Sequence, residues 1–308
     1  MGLPKKMSSR ASRTDRKIAE VKSTAQLVAL WLHQMRPQTQ RTYEYDIRCL
    51  IAFLAGKSPQ QTQLNDASLQ SLTLNDLYAF ADYLENLGLA ASTRKRRLAA
   101  VKSLLSFGQF CGYLDVNLGA RYKLPKVKNT LARRILSELE VMTVIALTPP
   151  GRERLVIQFF YYTGARVGEV EGLTWRDIQP GRDGQGQVTL FGKGGETRTV
   201  IIPDSLYREL LDSRVSQHPR APVFVSRKGK KPLKARQLRK IVADAGQRAG
   251  IAETVSPHWL RHSHGTHSLE RGAPPQLTQR TLGHASLETT SKYLHARPSD
   301  SSGLYLPK

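Results

Sequence analysis

Pro257-His258-Trp259-Leu260-Arg261-His262-Ser263-His264 opens the stretch whose reading decides this chain. It continues to Leu282-Gly283-His284 and then to Thr289-Thr290-Ser291-Lys292-Tyr293. His258 and Arg261 are three residues apart, so a helix places them on one face. Leu282-Gly283-His284 reads as the close of a short helix, with Tyr293 on the next. An Arg, two His and a Tyr are the groups that cut a phosphodiester without metal. The Tyr hydroxyl attacks, the guanidinium neutralises the phosphoryl oxygens, and imidazole moves protons.

A lone Tyr in a helix is ordinarily filler, and HxxR alone is weak. The ordered set within one short window is specific. HxxR followed by LGH and by TTxxY resembles the tyrosine recombinase (phage integrase) family, which includes the Xer-type recombinases. The resemblance implies a mainly α protein with a small β-hairpin or sheet. It would form a two-domain DNA clamp, an N-terminal helical core-binding bundle joined to a mixed α/β catalytic domain.

Composition agrees with a nucleic-acid partner. The 308 residues suffice for two domains, and the formal net charge is +22. No apolar run reaches the length of about 18 residues that a membrane span needs. The basic N-terminus has no apolar segment after it, so no secretory signal is expected. Cys49 and Cys111 each sit in an apolar helical pattern and read as reduced core residues, as in the cytoplasm. His258, His262, His264 and His267 lack carboxylate or thiolate company, and no metal or other cofactor is expected.

Residues 1–22 read as a basic flexible tail. Residues 23–115 read as a four-helix DNA-binding bundle. The first helix, about Ser23 to Met35, would turn Leu27, Leu30 and Trp31 inward. The second, Gln38 to Ala55, carries Tyr43, Ile47, Leu50, Ile51 and Leu54. Thr73 caps the third, with Leu77, Phe80, Ala81 and Leu84 inward and Gly88 at its end. Ser92 is expected to cap the fourth, which carries Leu98, Val101, Leu104, Leu105 and Phe107. Arg94, Lys95, Arg96, Arg97 and Lys102 crowd that helix and are expected to meet DNA phosphates. Thr39 and Arg41, with Thr42 and Tyr43, are expected to add contacts.

Residues 116–134 read as a basic linker, and the second domain as 135–308. Ser137 and Glu140 form a capping box. A helix from Arg152 ends at Thr163-Gly164-Ala165-Arg166, and Arg166 and Glu169 are again three apart. Gln187–Phe191 and Thr197–Ile202 flank a glycine-rich turn holding Lys193, a hairpin and not a P-loop. Pro222–Ser226 reads as a further short strand. Arg227, Lys228, Lys230, Lys231 and Lys234 follow, before a helix ending near Ala249, and are expected to face DNA backbone.

On the resemblance, Thr163-Gly164-Ala165-Arg166 with Glu169 matches the family's first arginine motif. The implied catalytic set is Arg166, Lys193, His258, Arg261, His284 and the nucleophile Tyr293, with Glu169 supporting. Lys193 matches the hairpin lysine that protonates the 5′ oxygen. The family makes a 3′-phosphotyrosine link without metal or ATP and exchanges strands through a Holliday junction. It integrates, excises or resolves dimers. The implied partners are duplex DNA with inverted half-sites, a homotetramer or a heterotetramer with a paralogue, and a directionality factor. The implied location is cytoplasmic, at the nucleoid. The chain departs from the pattern at His264 and Gly265, at Pro274-Pro275, and in its short segment after Tyr293, where Leu304, Tyr305 and Leu306 remain to dock in trans. A type IB topoisomerase-like relaxing enzyme and a non-cutting DNA-binding accessory protein are the rival readings.

Overall fold

The structure is a computed structural model that describes residues 20–127, 134–192, 195–227 and 231–283. The chain divides into two compact units, Met1–Lys128 and Asn129–Lys308, each with its own core.

The first unit is built from α1 (Thr24–Leu32), α2 (Pro37–Ala55), α3 (Leu74–Asn86) and α4 (Ala91–Phe110). Their starts follow local chemistry. Ser23 accepts from the Gln26 amide, Pro37 opens α2, and Thr73 with Asp76 makes a capping box. Gly56 and Gly88 take left-handed φ just beyond α2 and α3, where a side chain would be strained. Leu27, Leu50, Phe80, Leu84, Val101 and Leu104 fill the core. Cys49 and Cys111 are buried free thiols, and burial pushes both pKa values up.

Several expectations need correction. Leu30 points outward, because α1 directs Leu27 and Trp31 to the core instead. Ser92 does not cap α4; Ala90 holds the cap position with no side-chain bond, and Ser92 lies in the first turn. The segment after residue 115 is not all linker. A 3₁₀ turn at Leu118–Ala120 follows, Gly119 lies against the Lys102 backbone, and Lys102 donates to the Tyr122 carbonyl. Tyr122 and Leu124 pack on the first core, so apolar burial carries this unit well past residue 115, towards its end at Lys128.

The second unit begins with Ile135 and Leu136 buried, then α5 (Glu138–Ala146), opened by the Ser137–Glu140 capping box. α6 (Arg152–Thr163) carries Leu155, Val156, Ile157, Phe159 and Phe160 through the centre of the core. α7 (Val167–Glu171) follows. Three antiparallel strands come next, β1 (Ile178–Pro180), β2 (Gly186–Phe191) and β3 (Thr197–Ile202), in the order β1-β2-β3. The hairpin pairs Val188 with Val200 and Phe191 with Thr197. β1 was not legible as a strand: it is three residues long and ends on a proline. Conversely, Pro222–Ser226 is not a strand, since only isolated bridges, Thr174 to Pro222 and Val225 to Pro232, form there. α8 (Asp204–Asp212), α9 (Ala235–Arg248), α10 (Pro257–Glu270) and α11 (Pro275–Leu282) complete the described unit. α10 packs on α6 and α11, and α11 packs on β3, which brings the HxxR helix, the first arginine motif and the hairpin together.

Candidate active site

Arg166 lies at the cap of α7, two residues after the left-handed Gly164 that ends α6. That abrupt turn needs a glycine: φ is +59°, and a Cβ there would meet Leu282 at 2.6 Å and His264 at 3.1 Å. Glu169, one turn on, is buried. It accepts the Arg166 amide at 2.7 Å and the Arg166 guanidinium at 3.1 Å. Its pKa stays below the usual carboxylate value even though burial opposes this, because hydrogen bonds from Arg198 and from the Arg166 amide outweigh the desolvation.

Arg261 comes up from α10, 2% exposed. It donates to the Gly164 carbonyl and to the Leu282 carbonyl, both at 2.5 Å. Those carbonyls stand at the ends of α6 and α11, where a helix leaves its last carbonyls without intrahelical donors. Arg166 donates to the next carbonyl along, that of Gly283, at 2.9 Å. The two guanidinium groups thus meet at the left-handed turn that leads into His284.

His258 occupies the first turn of α10, on the same face as Arg261. With Ala165, Arg166, Val167, Arg239, Ser256 and Pro257 it lines a cavity of 310 Å³. Its ring stacks on that of His262, with centroids 5.3 Å apart and planes 17° apart. Its pKa is lowered by partial desolvation, and then by the charges of Arg261, Arg166, Arg134 and Arg239. The residue as a whole is exposed, so the fixed positive charges are the sturdier cause.

His264 and His267, further along α10, are held by buried hydrogen bonds. His264 directs Nδ1 to the Tyr161 carbonyl at 2.8 Å. A carbonyl only accepts, so that nitrogen carries the proton. Burial pushes the His264 pKa down to about 4. His267 donates from Nε2 to the Leu136 carbonyl at 2.9 Å, and its Nδ1 accepts from the Tyr161 hydroxyl at 3.0 Å. Burial raises that hydroxyl to about 12. Among the described residues there is no cluster of metal-ligating side chains.

Lys193, His284 and Tyr293 lie outside the described residues, as do Lys228, Lys230 and the segment holding Leu304, Tyr305 and Leu306. Arg166, Glu169, His258 and Arg261 are brought together. The sequence reading missed Arg198, whose guanidinium clasps both oxygens of Glu169 at 2.8 Å each. A signal was present: Arg198 is in phase with Val200 and Ile202, the inward face of β3, where a charge needs a buried partner. Arg239, on the cavity wall, was also missed.

The charge run of α4 is mostly committed inside its own unit. Arg97 is buried and pairs with Asp46, which has no exposed surface, and Arg96 pairs with the same carboxylate. Arg94 pairs with Glu85, and Lys102 is held by Tyr122. Lys95 stays exposed, as do Arg41 on α2 and Lys231 in the second unit. Thr39 is half-buried, and Tyr43 stacks on Trp31. Arg227 pairs with Glu153, and Lys234 with Glu171. No described helix is long and apolar enough to cross a membrane.

Comparison with known proteins agrees with this geometry. Residues 134–300 match the Phage integrase family, and residues 29–108 match the Phage integrase N-terminal SAM-like domain. The tyrosine recombinase XerC of Mycobacterium tuberculosis (strain ATCC 25177 / H37Ra) is 33% identical over 273 residues, covering 83% of this chain and 87% of the relative. That of Pelobacter propionicus is 31% identical over 272 residues, covering 85% of each. A lambda integrase (75–356) dimer bound to a COC′ core site shares the fold with a TM-score of 0.70 at 19% identity, covering 89% of this chain and 94% of the other. The XerH recombinase bound to difH, in a pre-cleavage complex, has a TM-score of 0.67 at 24% identity, covering 92% and 83%. With both domains matched and the arginine and HxxR motifs assembled at one turn, this chain belongs to the phage integrase family of tyrosine-type site-specific DNA recombinases.

Proposed function

We propose that this chain cuts and rejoins duplex DNA with Tyr293 as nucleophile, on inverted half-sites, as a four-subunit assembly that passes through a Holliday junction. The observation that carries this reading is the convergence of Arg166 and Arg261 on the consecutive carbonyls of Gly283 and Leu282, with His258 beside Arg166. Two planar forks at one point suit a phosphoryl group whose non-bridging oxygens gain charge in the transition state.

In the cleavage step Tyr293 Oη bonds to phosphorus and gives its proton to His258. The P–O5′ bond breaks, and the 5′ oxygen takes a proton from Lys193. His284 donates a hydrogen bond to the same phosphate. A phenol has an ordinary pKa of about 10, so a base is needed at neutral pH. The lowered pKa of His258 keeps its imidazole neutral and able to accept. The arginine charges also favour the phenolate. The phosphotyrosine keeps the bond energy, so a second 5′ hydroxyl reverses the step without ATP or metal.

The test uses a nicked suicide duplex bearing a candidate site, with EDTA present. A covalent protein–DNA band on a denaturing gel, absent for Tyr293→Phe, is expected. Junction products are expected to follow with paired sites. Tight binding without any band would overturn the cutting role, and relaxation without strand exchange would overturn recombination.

A further inference from the structure

Arg198 ties β3 to two other elements at once, α7 and α11. From β3 its guanidinium forks onto Glu169 of α7 with two bonds of 2.8 Å. Its Nε donates to the Thr281 carbonyl, in the last turn of α11, at 2.6 Å. Its stem and one guanidinium nitrogen lie 3.2 Å from where a Cβ would stand on Gly283. The side chain is 11% exposed and its carboxylate partner 4%. The ion pair is therefore shielded from water and from salt, unlike a surface pair.

The position of Arg198 along the hairpin matters as much as its partners. It pairs across the strands with Leu190, one step from Phe191 and Thr197, where the paired strands end. The turn beyond is closed by the Gly192 amide donating to the Glu196 carbonyl at 2.7 Å. Gly192 itself approaches Glu169: a Cβ there would stand 3.6 Å from the carboxylate. Lys193 is the next residue in the chain, so the base of its turn is tethered to the carboxylate that also holds Arg166. Arg166 has contacts of its own, to Glu169 within one helical turn and to the Gly283 carbonyl, while Arg198 supplies the hydrogen bonds that do most to keep Glu169 ionised. The hairpin closes through its own ladder and the Gly192–Glu196 bond, and Arg198 is a side chain that joins it to Glu169 and to α11.

We infer that Arg198 is a positioning residue for leaving-group protonation, fixing the hairpin turn that carries Lys193 against the Arg166–Glu169 pair. This rests on the assignment of Lys193 as the general acid. It goes beyond that assignment by naming the side chain that anchors the strand ends on either side of Lys193.

The experiment compares single-turnover cleavage of two suicide duplexes. One has an ordinary scissile phosphodiester, and the other has sulfur in place of the bridging 5′ oxygen. A thiolate leaves without being protonated, so the second substrate needs no general acid. Arg198→Ala is expected to slow cleavage of the oxygen substrate by about 100-fold. On the sulfur substrate it is expected to come within a few-fold of the parent protein. Lys193→Ala is the control for the assignment beneath it and should show the same rescue. Arg198→Lys, which keeps a charge near Glu169 and loses the fork, guards against a variant that does not fold. It should show the same pattern at smaller amplitude. Equal slowing of Arg198→Ala and Arg198→Lys on both substrates, with Lys193→Ala rescued, would overturn the inference and leave the assignment of Lys193 standing. A Lys193→Ala protein that sulfur does not rescue would overturn both.

Discussion

Arg166 and Arg261 donate to adjacent carbonyls, Gly283 and Leu282, although they come from different helices and only Arg261 is fully buried. Arg261 has a second task that Arg166 lacks, because it also ties the end of α6 through the Gly164 carbonyl. Arg261 therefore carries a larger share of the architecture than Arg166.

Substitution should separate these shares. Removing one preorganised donor from a developing oxyanion costs on the order of 3–4 kcal/mol, so Arg166→Ala and Arg261→Ala should each lose roughly 100- to 1,000-fold in covalent-complex formation. Arg261→Ala should also lose stability, since each buried carbonyl left without a donor costs about 1–3 kcal/mol. Arg166→Ala, whose side chain is 36% exposed, should melt close to the parent protein. Suicide-substrate kinetics and thermal melts on the same preparations check both statements.

Asp46 is the charge centre of the first unit. Burial raises its pKa, while Arg96 and Arg97 pull it the other way. Breaking a buried pair from one side costs about 3–5 kcal/mol, so Arg97→Ala should unfold the helical bundle at markedly lower denaturant. Lys95→Ala should leave stability unchanged, and if Lys95 meets a phosphate it should reduce the salt dependence of DNA binding by about one unit of slope. Denaturant melts and binding isotherms at several salt concentrations distinguish the two residues. Equal behaviour would remove the distinction drawn from their burial.

The pH dependence of cleavage follows from His258. Its folded pKa lies below the ordinary 6.5, so the imidazole is neutral at pH 7 and above. Cleavage should hold steady as pH falls through 7 and drop only below 6.5, as His258 takes up a proton and ceases to be a base. His258→Asn should lower the plateau and remove that acid limb. A limb centred above 6.5 in the parent protein would contradict the role of the neighbouring arginine charges.

His264 affects stability instead. Its pKa is about 4 when folded and 6.5 ordinarily, so the unfolded chain binds the proton more tightly. The stability of the second unit is complete above pH 6.5 and declines as pH falls from 6.5 towards 4. A difference of one pKa unit between the folded and unfolded chain is worth about 1.4 kcal/mol, so the loss from this one group is on the order of 3 kcal/mol. His264→Gln keeps a donor for the Tyr161 carbonyl and does not titrate, so the fall in melting temperature between pH 6.5 and 4 should be smaller in that variant.

Much of this was legible in the chain itself. The 3.6-residue spacing of Leu77, Phe80 and Leu84, the caps at Thr73 and Ser137, and the left-handed glycines after α3, α6 and α11 are local signals, and local signals survive reading in one dimension. So did the spacing of His258 with Arg261 and of Arg166 with Glu169, which placed each pair on one side of a helix turn. The length of the first unit was not legible, because Tyr122 and Leu124 are bound by contacts with distant helices and not by periodicity. Nor was the fate of the α4 arginines: a charge run looks solvated until Asp46 is found beneath Arg97. Arg198 is the clearest case. Its sequence position marks a charge on an inward strand face, but its partners Glu169 and Thr281 lie far away along the chain. Desolvated hydrogen bonds between remote segments depend on how the helices and the sheet pack. The sequence alone therefore determined the family, the caps at Thr73 and Ser137 and the spacing of the paired site residues, and only the tertiary structure decided which charges of the described residues are buried in pairs and which stay exposed.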